Sequence, residues 1–129
     1  MSVTVRWYND DKKIIYYEFT GKWTWEEFEP AYDETIRMMD SVDYKIDFIL
    51  WLNTDYIAPG AIQRIKRAAD YKHPNMGLAV YVGLHPMIVP LGKIFLKLYP
   101  KSAQYYPVDF ARTIAEAEAI LAERVSKSK

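Results

Sequence analysis

Val3, Val5 and Trp7 alternate with Thr4, Arg6 and Tyr8, a period-two pattern that predicts a β-strand. The polar stretch Asn9-Asp10-Asp11-Lys12 follows as a turn. Ile14-Ile15-Tyr16-Tyr17-Glu18-Phe19 then supplies the β-branched and aromatic residues of a second strand, so the two make a hairpin. After Gly21 the period changes. Thr24-Trp25-Glu26-Glu27 has the spacing of a capping box, and Trp25, Phe28, Tyr32, Ile36 and Met39 recur at helical intervals, which predicts a buried helix face. Ile46 to Leu52 is nearly unbroken hydrophobe, the mark of a strand covered on both sides.

Three further helices and two further strands complete the pattern. Ala58-Pro59-Gly60-Ala61 opens the second helix, with Pro59 in its first turn and Ala61, Ile62, Ile65, Ala68 and Ala69 on its apolar side. His73-Pro74-Asn75-Met76-Gly77 interrupts the chain before a fourth strand, Leu78 to Val82, which Gly83 closes. Leu84–Val89 reads as irregular, and a third helix runs from about Pro90 to Tyr99, because proline is tolerated only in the first turn. A short fifth strand is expected over Ser102 to Val108. Thr113-Ile114-Ala115-Glu116 is a second capping box and opens a last helix. The predicted class is α/β: a mixed, mainly parallel five-stranded sheet with four helices, in the order β-β-α-β-α-β-α-β-α. Residues 1–125 read as one domain and 126–129 as a disordered tail.

Composition narrows what such a domain does. A chain of 129 residues with 50% hydrophobic and 26% charged residues has the profile of a globular protein. It contains no Cys, so disulfides, thiolate metal sites and Cys nucleophiles are excluded. The N-terminus lacks the apolar core of a signal peptide, and no apolar run approaches the ~20 residues of a transmembrane helix. A cytoplasmic location is the expectation. Net charge is zero, yet unevenly placed: residues 1–55 hold twelve acids and six bases, and residues 56–108 hold one acid and seven bases. This reads either as a device for an oriented contact or as differing solvated helix faces.

Four stretches, taken together, resemble the STAS-like or SpoIIAA-like family of anti-sigma-factor antagonists. They are Phe19-Thr20-Gly21-Lys22-Trp23-Thr24-Trp25-Glu26-Glu27-Phe28, Ile46-Asp47-Phe48-Ile49-Leu50-Trp51, Gly60, and Phe110-Ala111-Arg112-Thr113-Ile114-Ala115-Glu116-Ala117. The resemblance covers nearly the whole chain and implies a SpoIIAA-like sheet and a regulatory role through protein binding. In sigma-regulating members a Ser at the start of the second helix is phosphorylated, commonly within Asp-Ser-Ser-Gly. Here the matching stretch is Ile57-Ala58-Pro59-Gly60, with neither the acid nor the hydroxyl, so the phospho-Ser switch does not carry over. Thr54 lies just upstream and reads either as a phosphosite or as a loop cap.

Chemistry-bearing residues are sparse. His73 and His85 are the two histidines, and pairing of His85 with Asp55 would need the strand ends to converge. No nucleophile elbow, phosphate-cradling Gly loop or His-x-x-x-His pair occurs. Asp47 reads as a structural hydrogen-bond acceptor at a strand start. The expectation is therefore no enzyme activity, no catalytic or metal-ligating residues and no cofactor. Arg64, Lys66, Arg67, Lys72, Lys93, Lys97 and Lys101 are read as solvated helix surface rather than a nucleic-acid site, because the domain is neutral.

Contact surfaces are the better candidates. After Pro90, Leu91, Ile94, Phe95, Leu98 and Tyr99 form a wide apolar arc, preceded by Met87-Ile88-Val89 in a loop. The arc reads either as a wedge within the core or as an interface. The expected partner-binding set is Thr54, Asp55, Tyr56, Ile57, Ala58, Met87, Ile88 and Phe95, for a protein partner or for a second copy in a homodimer. The alternative is a small apolar or lipid-like ligand in a cavity under the Pro90–Tyr99 helix.

Overall fold

The alternation at the N-terminus produces two antiparallel strands, β1 (Val3–Trp7) and β2 (Ile14–Thr20), in the register Val5↔Tyr17. The computed structural model describes residues 2–54, 59–60, 74–83 and 108–127. β3 (Ile46–Asn53), β4 (Met76–Val82) and β5 (Val108–Ala111) follow, each parallel to the strand before it. The sheet is thus mixed and five-stranded, and its spatial order β1-β2-β3-β4-β5 repeats the chain order.

Helix α1 (Trp25–Asp40) begins where the capping box predicts. Thr24 Oγ1 accepts from the Glu27 N–H at 3.2 Å, and Glu27 Oε1 accepts from the Thr24 N–H at 3.2 Å. Its buried line is Ala31, Thr35, Met38 and Met39; of the expected Trp25–Phe28–Tyr32–Ile36–Met39 stripe Met39 is fully buried and the other four are half-buried beside it. The reason is polar. Tyr17 rises from β2 inside the core, and its hydroxyl must find partners there, which are Thr35 Oγ1 and the Ala31 carbonyl at 3.1 Å. Phe28 and Ile36 pack at the flank of that seam.

The two faces of the sheet carry separate cores. Val3, Ile15, Tyr17, Phe19, Phe48, Leu50 and Ala79 pack beneath α1. Tyr16, Ile49, Val80, Val82 and Ala111 face the other way, against Ala117 and Leu121 of α2 (Ile114–Lys127). β3 contributes to both, as its unbroken hydrophobicity predicts, and Ile46 and Ile49 are fully buried. Each such side chain stabilises the fold by about 1.5–3 kcal/mol.

The expected four helices are corrected. The described residues hold two, α1 and α2. The helix expected from Ala58-Pro59-Gly60-Ala61 does not begin there: Pro59 and Gly60 form a turn, and Gly60 has φ of +85°, which no α-helix accommodates. The remainder of that helix and the Pro90–Tyr99 helix lie outside the described residues. The expected fifth strand, Ser102–Val108, lies outside the described residues but for Val108, and β5 is described over Val108–Ala111. Its pairing with β4 runs from Ala79↔Val108 to Val82↔Ala111. β4 begins two residues early, at Met76, and α2 continues to Lys127, into the stretch expected as tail.

Candidate functional site

The four parallel strands end along one rim of the sheet, the position where open α/β sheets receive ligands and partners. Each strand leaves the rim by a sharp change of direction. β2 runs into Gly21, at φ +57°, and β4 into Gly83, at φ +83°, a region that costs other residues about 1–2 kcal/mol. At Gly83 space is short as well: a Cβ would lie 3.1 Å from the Leu52 carbonyl oxygen. The Gly83 N–H donates to the Ala111 carbonyl at 3.3 Å and so carries the rim across to β5.

Side chains brace this rim. Thr54 Oγ1, at the end of β3, donates to the Gly21 carbonyl at 2.7 Å. Trp25, in the first turn of α1, donates its indole Nε1–H to the Pro59 carbonyl at 2.7 Å, which fixes the Pro59-Gly60 turn beside the helix. Behind it, Phe19, Trp23, Trp25, Phe28 and Tyr32 form a continuous run of ring contacts, with centroids 4.8–5.9 Å apart between successive members from Trp23 on. Edge-on and tilted pairs of this kind add about 0.5–1.5 kcal/mol each beyond burial, so the rim stands on a stiff base. Lys22, Asn53, Gly83 and Arg112 are exposed along it.

Glu27 fastens the same end. Its carboxylate accepts from the Ser2 N–H at 3.1 Å and from Thr24, and the Ser2 bond holds its pKa below the ordinary carboxylate range. A second polar group lies on the opposite face. The Tyr8 hydroxyl donates to Glu118 of α2, which pushes the Tyr8 pKa up to about 12, and Arg6 stacks over the Tyr16 ring at 4.7 Å.

Of the residues expected to bind a partner, Thr54 is placed at the rim as a brace. Asp55, Tyr56, Ile57, Ala58, Met87, Ile88 and Phe95 lie outside the described residues, as do His73, His85 and the cavity expected under Pro90–Tyr99. Asp47 has the structural role expected, accepting from the Leu78 N–H at 2.8 Å. Sequence reading missed the Trp25–Pro59 bond, the exposed Arg112 and the buried Trp23. The Trp-Thr-Trp flanking of the helix cap was the available signal for the first and last of these. Among the described residues no group of three His, Asp or Glu is placed to hold a metal ion, and no helix is long and apolar enough to cross a membrane. Comparison with family models, with curated proteins and with solved structures gives no match.

Proposed function

We propose that the chain is a non-enzymatic, STAS-like regulatory or scaffolding module of the cytoplasm, which binds a protein partner at the carboxyl rim of its sheet without a phospho-Ser switch. The observation that carries this reading is the adjacency of two strand ends. β3 and β4 stay paired up to Trp51↔Val82, so the chain departs at Thr54 and at Gly83 from neighbouring strands, about 4.8 Å apart. The segments that contain Asp55–Ala58 and Met87, Ile88 and Phe95 therefore start from one place. The aromatic run under the rim and the braces at Thr54 and Trp25 support a preformed contact surface. The donation from Thr54 to Gly21 supports its role as a loop brace in place of a phosphosite. The family resemblance rests on the Gly21 passage into a capped α1, the buried stretch 46–51 of β3, Gly60 and the Thr113-capped last helix.

The test is capture of the partner by cross-linking in cells, followed by measured affinities. Met87→Ala, Ile88→Asp and Phe95→Ala are each expected to weaken binding about tenfold or more while thermal melting stays unchanged. Variants that bind everything the parent binds would refute the rim as the contact surface. Native mass spectrometry supplies the competing outcome: an apolar small molecule that co-purifies would replace the protein partner with a lipid-like ligand.

A further inference from the structure

The edge strand β1 carries a self-complementary pairing surface. β1 and β2 bond through the even-numbered residues, as the Tyr8 N–H to Ile14 carbonyl bond and the Thr20 N–H to Ser2 carbonyl bond show, both at 2.8 Å. By the alternation of an antiparallel ladder, the N–H and C=O groups of Val3, Val5 and Trp7 point away from the sheet. β1 is the first strand in the order, so among the described residues these groups face outward from its edge with no strand beside them. The devices that usually blunt an edge are scarce here. The strand Val-Thr-Val-Arg-Trp has no proline, no lysine and no bulge, and its one charge, Arg6, folds over to donate to the Trp7 and Tyr8 carbonyls at 2.9 and 3.2 Å. Beside the edge, Val3, Thr4, Val5, Pro30 and Ala31 line an open cleft of about 360 Å³ between β1 and α1.

We propose that β1 pairs antiparallel with β1 of a second copy, about a two-fold axis at Val5, to form a homodimer with one sheet continuous across both subunits. The proposal is independent of the rim. With Val5 facing Val5 of the second copy, Val3 faces Trp7 and Trp7 faces Val3, so all three outward residues exchange their backbone groups once Arg6 releases the Trp7 carbonyl. On the α1 face, Trp7 of the second copy stands opposite Val3 at the mouth of the cleft, an apolar lining that suits an indole. On the other face, Arg6 of the second copy stands opposite Thr4. Thr4 is paired in turn with Glu18, so the row reads Glu18, Thr4, Arg6 of the second copy. Two strand spacings, roughly 9.6 Å, separate the outer members, and Arg6, on leaving the Trp7 and Tyr8 carbonyls and the Tyr16 ring of its own chain, extends over the small Thr4 to the Glu18 carboxylate. The two-fold axis makes this ion pair twice. Hydrophobic, hydrogen-bonding and charged positions therefore all match in one register.

Sedimentation over a dilution series reads the outcome. The parent protein is expected to move from the 15.2 kDa of one chain toward twice that mass, in the micromolar range that a short edge supports. Val5→Pro is the decisive variant, because the N–H it removes points outward and the ladder to β2 is untouched. It is expected to raise the dissociation constant at least about tenfold with an unchanged far-ultraviolet spectrum. Val5→Lys, which places like charges on the axis, tests the same point should the proline disturb folding. Arg6→Glu or Glu18→Arg alone is expected to weaken the dimer, and the two together to restore it. A parent chain that remains at 15.2 kDa through high micromolar concentration overturns the proposal. A dimer that survives both Val5 substitutions, or one that the charge reversal fails to restore, overturns it equally.

Discussion

The two ends of the parallel sheet are built on opposite principles. At the amino end the strands are locked by close backbone packing. Met76 pairs with Ile46, then Ala79 with Phe48, so β4 carries one extra residue in a bulge opposite Asp47. Asp47 accepts the Leu78 N–H there, and a Cβ on Gly77 would lie 2.7 Å from the Ile46 carbonyl oxygen. Asn75 closes the end from outside, donating its Nδ2 to the carbonyls of Met39 and Val42 at 3.0 and 2.9 Å. At the carboxyl end the glycines serve backbone direction more than close contact, and a Cβ on Gly21 would meet nothing within 4 Å. One end is specified by what it excludes, the other by which way the chain must turn. Both ends expose polar side chains, Lys12, Lys13, Asp43 and Lys45 at the first and Lys22, Asn53 and Arg112 at the second; the second is the one proposed for recognition because its strand ends open into the turns.

Matched substitutions test that contrast, and the glycines show the largest expected effect. Gly77→Ala forces backbone apart and is expected to destabilise the protein by about 3 kcal/mol in urea unfolding. Gly21→Ala meets open space and carries only the strain of its positive φ, about 1–2 kcal/mol. Equal losses would break the distinction. Next come the polar braces. Asn75→Ala leaves the Val42 carbonyl without its amide donor and the Met39 carbonyl with the long bond from the Val42 N–H, and is expected to cost about 2 kcal/mol, whereas Thr54→Val at the open end costs less than about 1 kcal/mol, both by thermal melting. The smallest effect is acid dependence at the carboxyl end. The Glu27 pKa is lowered in the folded protein, so its contribution is present above the unfolded carboxylate range and fades as pH falls through the lowered value. Stability followed from pH 6 to 2 should therefore fall less steeply in Glu27→Gln than in the parent; identical slopes would remove Glu27 from the rim's stabilisation.

The parts of this architecture that were legible in the sequence are those fixed by local pattern. The hairpin, the capped α1, the doubly covered β3 and the Thr113 cap each rest on a period or a cap that neighbouring residues decide. The misplaced parts depended on partners distant in the chain. The α1 seam turned because Tyr17 required Thr35 and Ala31, eighteen and fourteen residues on. The Pro59-Gly60 turn replaced a helix start because Trp25, thirty-four residues earlier, holds the Pro59 carbonyl. For the candidate site, Gly21 and Gly83 were readable as strand ends. Their convergence with Thr54 at one edge was expected of a parallel sheet, but which strands neighbour one another follows from strand order, which no local pattern encodes.

That order has a consequence for how the molecule is made. Strands enter the sheet in the sequence in which they are translated, so each emerging strand finds the edge it will occupy already formed beside it. None of the described strands has to be inserted between two others, and none of their earlier pairings has to be undone. Among the described strands the growing chain thus advances along a single front, with β2 to β5 taken up in turn and none of them occupying the outer edge of β1. Two ribosomes on one message would present that edge to each other before either chain is finished.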